Sequence, residues 1–242
     1  GRANYHAGHI PGAAFFDIDE IADSDTALKH MLPAPAAFED KVSALGVSND
    51  KHIVVYDNNG FFASARAWWM FRAMGHDMVS VLDGGLSAWI SADGAQSSNS
   101  VAPRPGTFRA NFRHGFVRDQ SAMRAHVEAQ DAKVLDARDN GRFSGASPEP
   151  RADLPSGHMP GSFCLPASGL INADKTLKSA QELTPMLDQF LEPSVVTTCG
   201  SGVSAAVIAL ALARLGKWDA ALYDGSWSEW AADTDNPIAT AS

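Results

Sequence analysis

Residues Val195–Trp230 read VVTTCGSGVSAAVIALALARLGKWDAALYDGSWSEW, and an earlier part of the chain repeats their pattern. Residues Ile53–Trp89, IVVYDNNGFFASARAWWMFRAMGHDMVSVLDGGLSAW, align with them so that Asp57 matches Cys199 at an offset of 142. Each copy reads as a strand, a glycine-bearing loop, a helix, a second strand, an Asp-Gly turn and a short helix that carries a tryptophan. The period is far longer than that of a solenoid repeat, so we predict two copies of a whole domain.

A second repeated piece lies upstream of each copy. GHIPGAAFFDID (Gly8–Asp19) matches GHMPGSFCLPAS (Gly157–Ser168). Between the halves, SSNSVAPRPGTF begins a Ser-, Pro- and Asn-rich segment that reads as a linker over residues 97–112. We therefore predict an N-terminal domain over residues 1–96 and a C-terminal domain over residues 113–242.

The two halves begin differently. The second has a helical stretch and the strand KVLDAR before its GHMPG, whereas the first starts almost at GHIPG. By the logic of the duplication, the first domain lacks its first helix and strand, and we expect the sequence to be a fragment of a longer chain or to have lost an N-terminal piece.

The predicted strands are short runs, mainly β-branched or apolar, bounded by Gly, Asp and Pro: IVVYD, VSVLD, KVLDAR, VVTTC and AALYD. Helical segments such as Ser64–Met74 and Val203–Leu215 lie between them. Strands that alternate with helices indicate an α/β fold in which each domain is a mainly parallel sheet flanked by helices. Ligands of such sheets bind at the carboxyl ends of the strands, where the loop Cys199–Gly202 is expected to lie.

The composition excludes several classes of protein. The chain has 242 residues, 45% of them hydrophobic and 19% charged, and its net charge of -9 comes without a basic block. We therefore expect no nucleic-acid or membrane partner, and no apolar run approaches the roughly 20 residues that span a bilayer. Two cysteines fit a reducing compartment and predict a cytoplasmic protein, and their spacing from the histidines predicts no metal site.

Cys199 comes directly after a strand and before a helix. A helix N-terminus and inward-facing N–H groups stabilise an anion, so we expect the thiolate to be favoured, with Gly200 and Gly202 allowing a tight loop. The alternative is a buried structural cysteine. A phosphatase of the Cys-x5-Arg type is excluded because the arginine position holds Ala205, and a Cys-x-x-Cys motif is excluded by Gly202. An unpaired thiolate of this kind suits attack on sulfur, with a persulfide as product.

The loop Cys199–Ser204, the paired GH[IM]PG segments, LDGGLSAW and YDGSWSEW resemble the tandem-domain rhodanese superfamily, most closely its 3-mercaptopyruvate sulfurtransferases. The resemblance implies that the first domain is catalytically silent, since Asp57 stands in the place of Cys199. It also implies that the loop residues Gly200, Gly202, Val203 and Ser204 contact the sulfur donor. Ser204 departs slightly from the family, which more often has Thr there.

The resemblance also implies how the donor is bound. GRFSGASPEPR resembles the family segment that supplies two substrate arginines, which match Arg142 and Arg151. An arginine fork binds a carboxylate and a neighbouring keto oxygen, as an α-keto acid presents them. Family members that prefer thiosulfate resemble Cys-Arg-Lys-Gly-Val-Thr, whereas Gly200 and Ser201 are uncharged here and favour a monoanionic organic donor. A surface or interdomain salt bridge is the alternative role for Arg142.

The resemblance implies a further proton relay. Ser201 matches a serine that works with a histidine and an aspartate of the first domain, which correspond to His30 and Asp19. Such a relay would protonate the departing enolate or orient the donor thiol. The alternatives are that Ser201 caps the following helix and that His30 is an exposed loop residue.

From the residues and the resemblance together, we predict a sulfurtransferase that moves sulfur from 3-mercaptopyruvate through a Cys199 persulfide and releases pyruvate. The expected acceptor is a thioredoxin-type dithiol or cyanide, in a ping-pong cycle that needs no cofactor. A thiosulfate:cyanide sulfurtransferase and a non-catalytic sulfur carrier or interaction module are the alternatives.

Overall fold

In the computed structural model, which describes residues 1–58, 60–192 and 194–240, the chain divides into two units. The first consists of Gly1–Arg113 with Ala173–Thr176, and the second of His114–Asn172 with the rest from Leu177 onward. The segment predicted as a linker over residues 97–112 therefore belongs to the first unit.

Phe108 packs this segment against the first unit. Its side chain is buried, and its ring meets those of Phe38 and Phe71 edge-on at centroid distances of 5.7 and 5.9 Å. Such aromatic contacts stabilise packing beyond the area that they bury. The Ser- and Pro-rich composition before Phe108 gave no sign of this contact, because the aromatic partners lie far away in the sequence.

The first unit contains a two-stranded parallel sheet in which Ile53 pairs with Val79. Helix α3 packs against it with ten of its twelve residues buried. The elements of this unit are α1 (Arg2–Ala7), α2 (Pro35–Ala44), β1 (Ile53–Val55), α3 (Phe62–Ala73), β2 (Val79–Val81) and α4 (Gly85–Ser91).

The second unit contains a five-stranded parallel sheet in the order β3-β7-β6-β4-β5. Its elements are β3 (Val117–Arg118), α5 (Gln120–Ala129), β4 (Lys133–Asp136), α6 (Asn140–Ser144), β5 (Phe163–Cys164), α7 (Ala180–Leu187), β6 (Val195–Thr198), α8 (Ala205–Arg214), β7 (Ala221–Tyr223) and α9 (Ser226–Trp230). Short 3-10 helices accompany them at His114–Phe116, Ala167–Leu170 and Asp188–Phe190. The mainly parallel α/β architecture predicted from the sequence is confirmed.

Side-chain caps fix where several of these helices begin. Asp119 accepts the N–H of Ala122 at the start of α5, and Ser179 and Glu182 form a reciprocal capping box at the start of α7. Each such cap typically contributes about 1 kcal/mol, because it satisfies N–H groups that the first helical turn leaves without partners. The local sequence therefore decides these boundaries.

Strand β6 lies at the centre of the second sheet. All four of its residues are buried, as a strand between two parallel neighbours requires, and the adjacent helix α8 is apolar on nearly every side. Trp227 and Trp230 are also fully buried, as expected for core residues. Because β4, β6 and β7 run parallel, the residues that follow their carboxyl ends share one edge of the sheet, and Cys199 is among them.

The duplication is visible in the backbone. His9 and Ser97 form an antiparallel bridge in the first unit, and His158 and Ala239 form the corresponding bridge in the second. Each GH[IM]PG segment thus pairs with a later segment of its own unit. None of the helices in the described part of the chain has the length and apolar character of a membrane-spanning segment.

Candidate active site

Cys199 directly follows the central strand β6, and its side chain is buried, with 2% of the residue surface exposed. Its N–H donates to Oγ of Ser226 at 3.3 Å, and its carbonyl accepts the N–H of Trp227 at 2.9 Å. The turn between β7 and α9 therefore holds the backbone of Cys199 on both sides. Such fixation gives the thiol a defined direction.

The loop after Cys199 leads to α8, which begins at Ala205 with Ser204 as its N-cap residue. Gly202 has φ 75°, a conformation that favours glycine. The N–H groups of Gly200, Val203 and Ser204 donate to no protein acceptor among the described residues. They are available to an anion at the N-terminal end of α8, where the helix dipole adds positive potential.

The alternative role of Ser201, that of a helix cap, does not apply to α8, because Ser204 occupies the N-cap position, three residues further on. The N-cap residue forms no side-chain hydrogen bond to the helix. The reason lies in the backbone: the turn at Gly202 delays the start of α8 beyond the point that the sequence suggested.

Both predicted arginines lie beside the cysteine loop. A Cβ atom placed on Gly200 would be 3.0 Å from Nη2 of Arg142 and 3.9 Å from Nη1 of Arg151. A glycine at position 200 therefore leaves room for two guanidinium groups. The structure brings Cys199, Gly200, Arg142 and Arg151 together.

A buried carboxylate orients Arg142. The helix α6 that carries this arginine begins at the side-chain cap Asp139, and Nε and Nη2 of Arg142 donate to Glu149 at 3.1 and 2.6 Å. The side chain of Glu149 is 1% exposed. Arg142 thus makes a salt bridge, but to a buried carboxylate of its own unit and not the surface or interdomain one weighed from the sequence, and this salt bridge fixes the arginine beside the loop.

Glu149 belongs to a larger buried network. Nη1 of Arg138 donates to Glu149 at 2.7 Å, and Nε and Nη2 of Arg138 donate to Asp136 at 3.0 and 2.6 Å. Burial opposes the charge of Arg138, but Asp136 and then Glu149 outweigh it and raise the pKa of the guanidinium. With Arg142, the network holds two arginines and two carboxylates, so its formal charge is balanced.

Arg151 differs from Arg142 in its surroundings. It is half-buried, and its guanidinium donates to no protein acceptor among the described residues. Among the residues that the structure describes, no carboxylate therefore contacts Arg151 to balance its positive charge. Together with the free N–H groups of the loop, this charge makes the surroundings of Cys199 suited to an anionic ligand.

Asp57 occupies the matching position of the first unit. Its carboxylate accepts the N–H groups of Phe61 and Ser64 at 3.2 and 3.0 Å, and its carbonyl accepts the N–H of Leu86 at 3.1 Å. The last bond is the counterpart of the one from Trp227 to Cys199. The first copy thus fills its own loop with a carboxylate and has no thiol there.

His30 and Asp19, two of the three predicted relay residues, lie together in the first unit. Nε2 of His30 is 2.8 Å from Oδ1 of Asp19. His30 has φ 65°, and its carbonyl accepts a hydrogen bond from the fully buried Arg66. Ser201, the third relay residue, belongs to the second unit.

Cys164 is the second free cysteine of the chain. Its Sγ lies 3.7 Å from the carbonyl of Arg138. Burial, and then the nearby Asp136, raise the pKa of its thiol to about 11, so the group is protonated at neutral pH. A protonated thiol of this kind acts as a small apolar group in the packing.

Sequence reasoning missed Glu149, Arg138 and Ser226. Two signals were present: charged residues at positions 136 and 138 end a buried strand, and Ser226 aligns with a glycine of the first copy. Neither signal names a partner. Ser226 contacts Cys199, 27 residues away, and Glu149 reaches Arg138 and Arg142 because the loop after β4 folds back on itself.

A family model described as the rhodanese-like domain matches residues 1–92 and 119–233. The chain belongs to the rhodanese-like family. Both units match, in agreement with the duplication read from the sequence.

Named relatives are similar over most of this rhodanese-like chain. The thiosulfate/3-mercaptopyruvate sulfurtransferase 2 of Arabidopsis thaliana is 42% identical, over 98% of this chain and 77% of the relative. The human 3-mercaptopyruvate sulfurtransferase is 39% identical, over 95% of this chain and 79% of the relative. The crystal structure of SseA from Escherichia coli, described as a 3-mercaptopyruvate sulfotransferase, superposes with a TM-score of 0.84 at 37% identity, covering 94% and 86% of the two chains.

Proposed function

We propose that this protein transfers the sulfur of 3-mercaptopyruvate to an acceptor thiol or cyanide through a persulfide on Cys199. The observation that carries the proposal is the placement of Cys199 in an uncharged loop with Arg142 and Arg151 beside Gly200. The names of the Arabidopsis and human relatives include 3-mercaptopyruvate sulfurtransferase, which supports the proposal.

The arginines define the donor class. Arg151 brings an uncompensated fork of N–H donors, and Arg142 is fixed by Glu149. A carboxylate with an adjacent keto oxygen offers three acceptors in one plane, which suits planar guanidinium groups. Pyruvate derivatives with a thiol at the third carbon fulfil this description.

The proposed first half-reaction balances without a cofactor. The Cys199 thiolate attacks the donor sulfur and forms an S–S bond, while the carbon–sulfur bond of the donor breaks and its electron pair remains on carbon as the enolate of pyruvate. The proton of the donor thiol stays on the outer sulfur, giving Cys199–S–SH. The enolate then takes one proton from the site and leaves as pyruvate.

The persulfide fits the loop because its outer sulfur bears negative charge when deprotonated. The N–H groups of Gly200, Val203 and Ser204 are suited to hold it. In the second half-reaction an acceptor thiolate attacks the outer sulfur, and the electron pair of the S–S bond returns to Sγ of Cys199. A dithiol acceptor then forms its own disulfide and releases hydrosulfide, whereas cyanide leaves as thiocyanate.

Two further parts of the proposal concern the proton and the compartment. We assign the proton of pyruvate to the relay of Ser201, His30 and Asp19, which a loss of turnover in His30→Asn would support. We also assign the protein to the reducing cytoplasm and to a thioredoxin-type dithiol, since both of its cysteines are free.

The test compares initial rates of pyruvate release from 3-mercaptopyruvate with a dithiol acceptor. We expect rapid release by the wild type, none by Cys199→Ser, and wild-type rates in the matched control Cys164→Ser, whose thiol is protonated at neutral pH. Thiosulfate with cyanide is the parallel donor assay.

A preference for thiosulfate would replace the proposed donor with the inorganic one, which the double name of the Arabidopsis relative also includes. A folded wild type that turns over neither donor would contradict the enzyme and favour a sulfur carrier. In that case, intact mass after incubation with a sulfur donor shows whether Cys199 still holds an added sulfur atom.

A further inference from the structure

Ser226 has an unusual backbone for its residue type. It has φ 51°, in the left-handed region that glycine tolerates and other residues occupy at a cost. The residue is also fully buried, with 0% of its surface exposed. A buried, non-glycine residue in this conformation needs a compensating interaction.

The first copy of the domain has the residue that this backbone ordinarily requires. Gly85 aligns with Ser226 at the offset of the surrounding turn and has φ 58°. A Cβ atom on Gly85 would collide with the carbonyl oxygen of Asp57. The copy with Asp57 in place of the cysteine therefore needs glycine, whereas the copy with the cysteine accommodates a serine.

The hydroxyl of Ser226 supplies the compensating interaction. Oγ donates its single proton to the carbonyl of Tyr223 at 2.8 Å, which leaves its lone pairs for the N–H of Cys199 at 3.3 Å. This N–H belongs to the residue that carries the thiol. Ser226 thus links the end of β7 to the end of β6 at the point where the thiol projects.

We infer that Ser226 is a positioning residue for Cys199: its hydroxyl fixes the cysteine backbone and thereby the direction of the thiol, at the expense of a strained backbone. The inference rests on the proposed function only in that Cys199 is the nucleophile. Ser226 contacts the cysteine backbone, so its loss should lower kcat and leave KM for the donor unchanged.

Two substitutions separate the hydroxyl from the backbone strain. Ser226→Ala keeps the strain and removes the hydroxyl, whereas Ser226→Gly removes both. We expect Ser226→Ala to lower Tm by several degrees and Ser226→Gly to lie nearer to the wild type, because glycine relieves the left-handed conformation. In contrast, kcat should fall in both variants alike, by about tenfold or more, as misplaced reacting groups commonly cause.

Ser162→Ala is the matched control, because Oγ of Ser162 also donates to a backbone carbonyl, that of Met159 at 2.6 Å, in the turn that leads into β5. Its kcat should equal that of the wild type. Two results would overturn the inference: a kcat of Ser226→Gly equal to that of the wild type, or kcat values of the two variants that fall in proportion to their Tm. In either case, activity would depend on stability and not on the hydroxyl.

A second measurement is independent of the sulfur donor. In a Cys164→Ser background, Cys199 is the one remaining cysteine of the chain, and its alkylation by iodoacetamide can be followed directly. We expect the alkylation rate to fall by a similar factor in Ser226→Ala and Ser226→Gly, because the hydroxyl no longer fixes the direction in which the thiol meets the reagent. Unchanged alkylation would contradict the inference, whereas inactivity of the wild type toward both donors would contradict the proposed function alone.

Discussion

Arg142 and Glu149 form a charge-assisted pair beside the cysteine loop, in which the carboxylate accepts Nη2 at 2.6 Å and Nε at 3.1 Å. Glu149 also accepts Nη1 of Arg138, so one buried carboxylate serves two arginines. Arg151 has no such partner among the described residues. The two arginines beside Gly200 therefore differ: the first is held in place by the protein, and the second offers its donors to a ligand.

Removing the charge of Glu149 should affect both stability and donor use. Glu149→Gln leaves Arg138 and Arg142 with one carboxylate, Asp136, and the imbalance in a buried network should lower the free energy of unfolding by about 3 kcal/mol. We also expect kcat/KM for 3-mercaptopyruvate to fall about tenfold or more, since Arg142 loses its orienting partner.

Urea unfolding and steady-state rates check this prediction. Asp233→Asn is the matched control, because Asp233 pairs with Arg124 at 2.6 Å on the partly exposed surface of the same unit. Exposed pairs contribute at most about 1 kcal/mol, so the control should lie close to the wild type. Equal effects of the two substitutions would contradict a special role of Glu149.

Arg151 should discriminate between donors by its planar fork. Arg151→Lys keeps the charge but loses bidentate hydrogen bonding, so we expect KM for 3-mercaptopyruvate to rise about tenfold or more while Tm stays near the wild-type value. Because thiosulfate presents no planar carboxylate, its KM should rise less. Arg124→Lys serves as the control, and a larger loss with thiosulfate than with 3-mercaptopyruvate would argue against carboxylate binding by Arg151.

Gly200 should be sensitive to a single added methyl group. In Gly200→Ala the new Cβ would lie 3.0 Å from Nη2 of Arg142, so the guanidinium must move by a few tenths of an ångström. We expect kcat/KM for 3-mercaptopyruvate to fall by roughly threefold to tenfold, with little change in Tm. Gly169→Ala is the control, because no heavy atom lies within 4 Å of its added Cβ. An unchanged rate in Gly200→Ala would show that the position of Arg142 is not critical.

The sequence predicted the fold well because the fold depends on local patterns. The runs that became β1 and β6 are β-branched segments, the run that became β7 is apolar and ends at Asp224, and the duplication supplied an internal check. The segment 97–112 read as a linker because its packing depends on Phe108, which meets rings from α2 and α3. Contacts of this kind have no signature in local composition.

The same distinction applies to the candidate site. Cys199 stands out because a strand, a glycine-rich loop and a helix follow one another in the sequence. Glu149 lies between two prolines and Ser226 follows an Asp-Gly turn, and neither position indicates a hydrogen-bond partner. Ser226 matters through its hydrogen bond to Cys199, 27 residues away, which the adjacency of β6 and β7 creates. Glu149 matters because the loop after β4 folds back and brings it to Arg138 and Arg142.

Glu229 should make stability depend on pH. It lies on α9, where burial, and then the carboxylates of Asp224 and Asp119, raise its pKa above the ordinary value of 4.5. The folded protein thus holds this proton to a higher pH than the unfolded chain does, so unfolding releases it. The stability associated with the proton is complete below about pH 4.5 and is lost as pH rises through the raised pKa.

Glu229→Gln removes this titration. We expect its free energy of unfolding to stay flat over the interval in which that of the wild type falls, and to exceed the wild-type value at neutral pH. Urea unfolding at constant ionic strength from about pH 4.5 to about pH 8 measures both. Glu182→Gln is a control of opposite sign, because the hydroxyl and N–H of Ser179 lower the pKa of the exposed Glu182 and its contribution is lost as pH falls. A Glu229→Gln variant that loses stability in parallel with the wild type would place the pH dependence in another group.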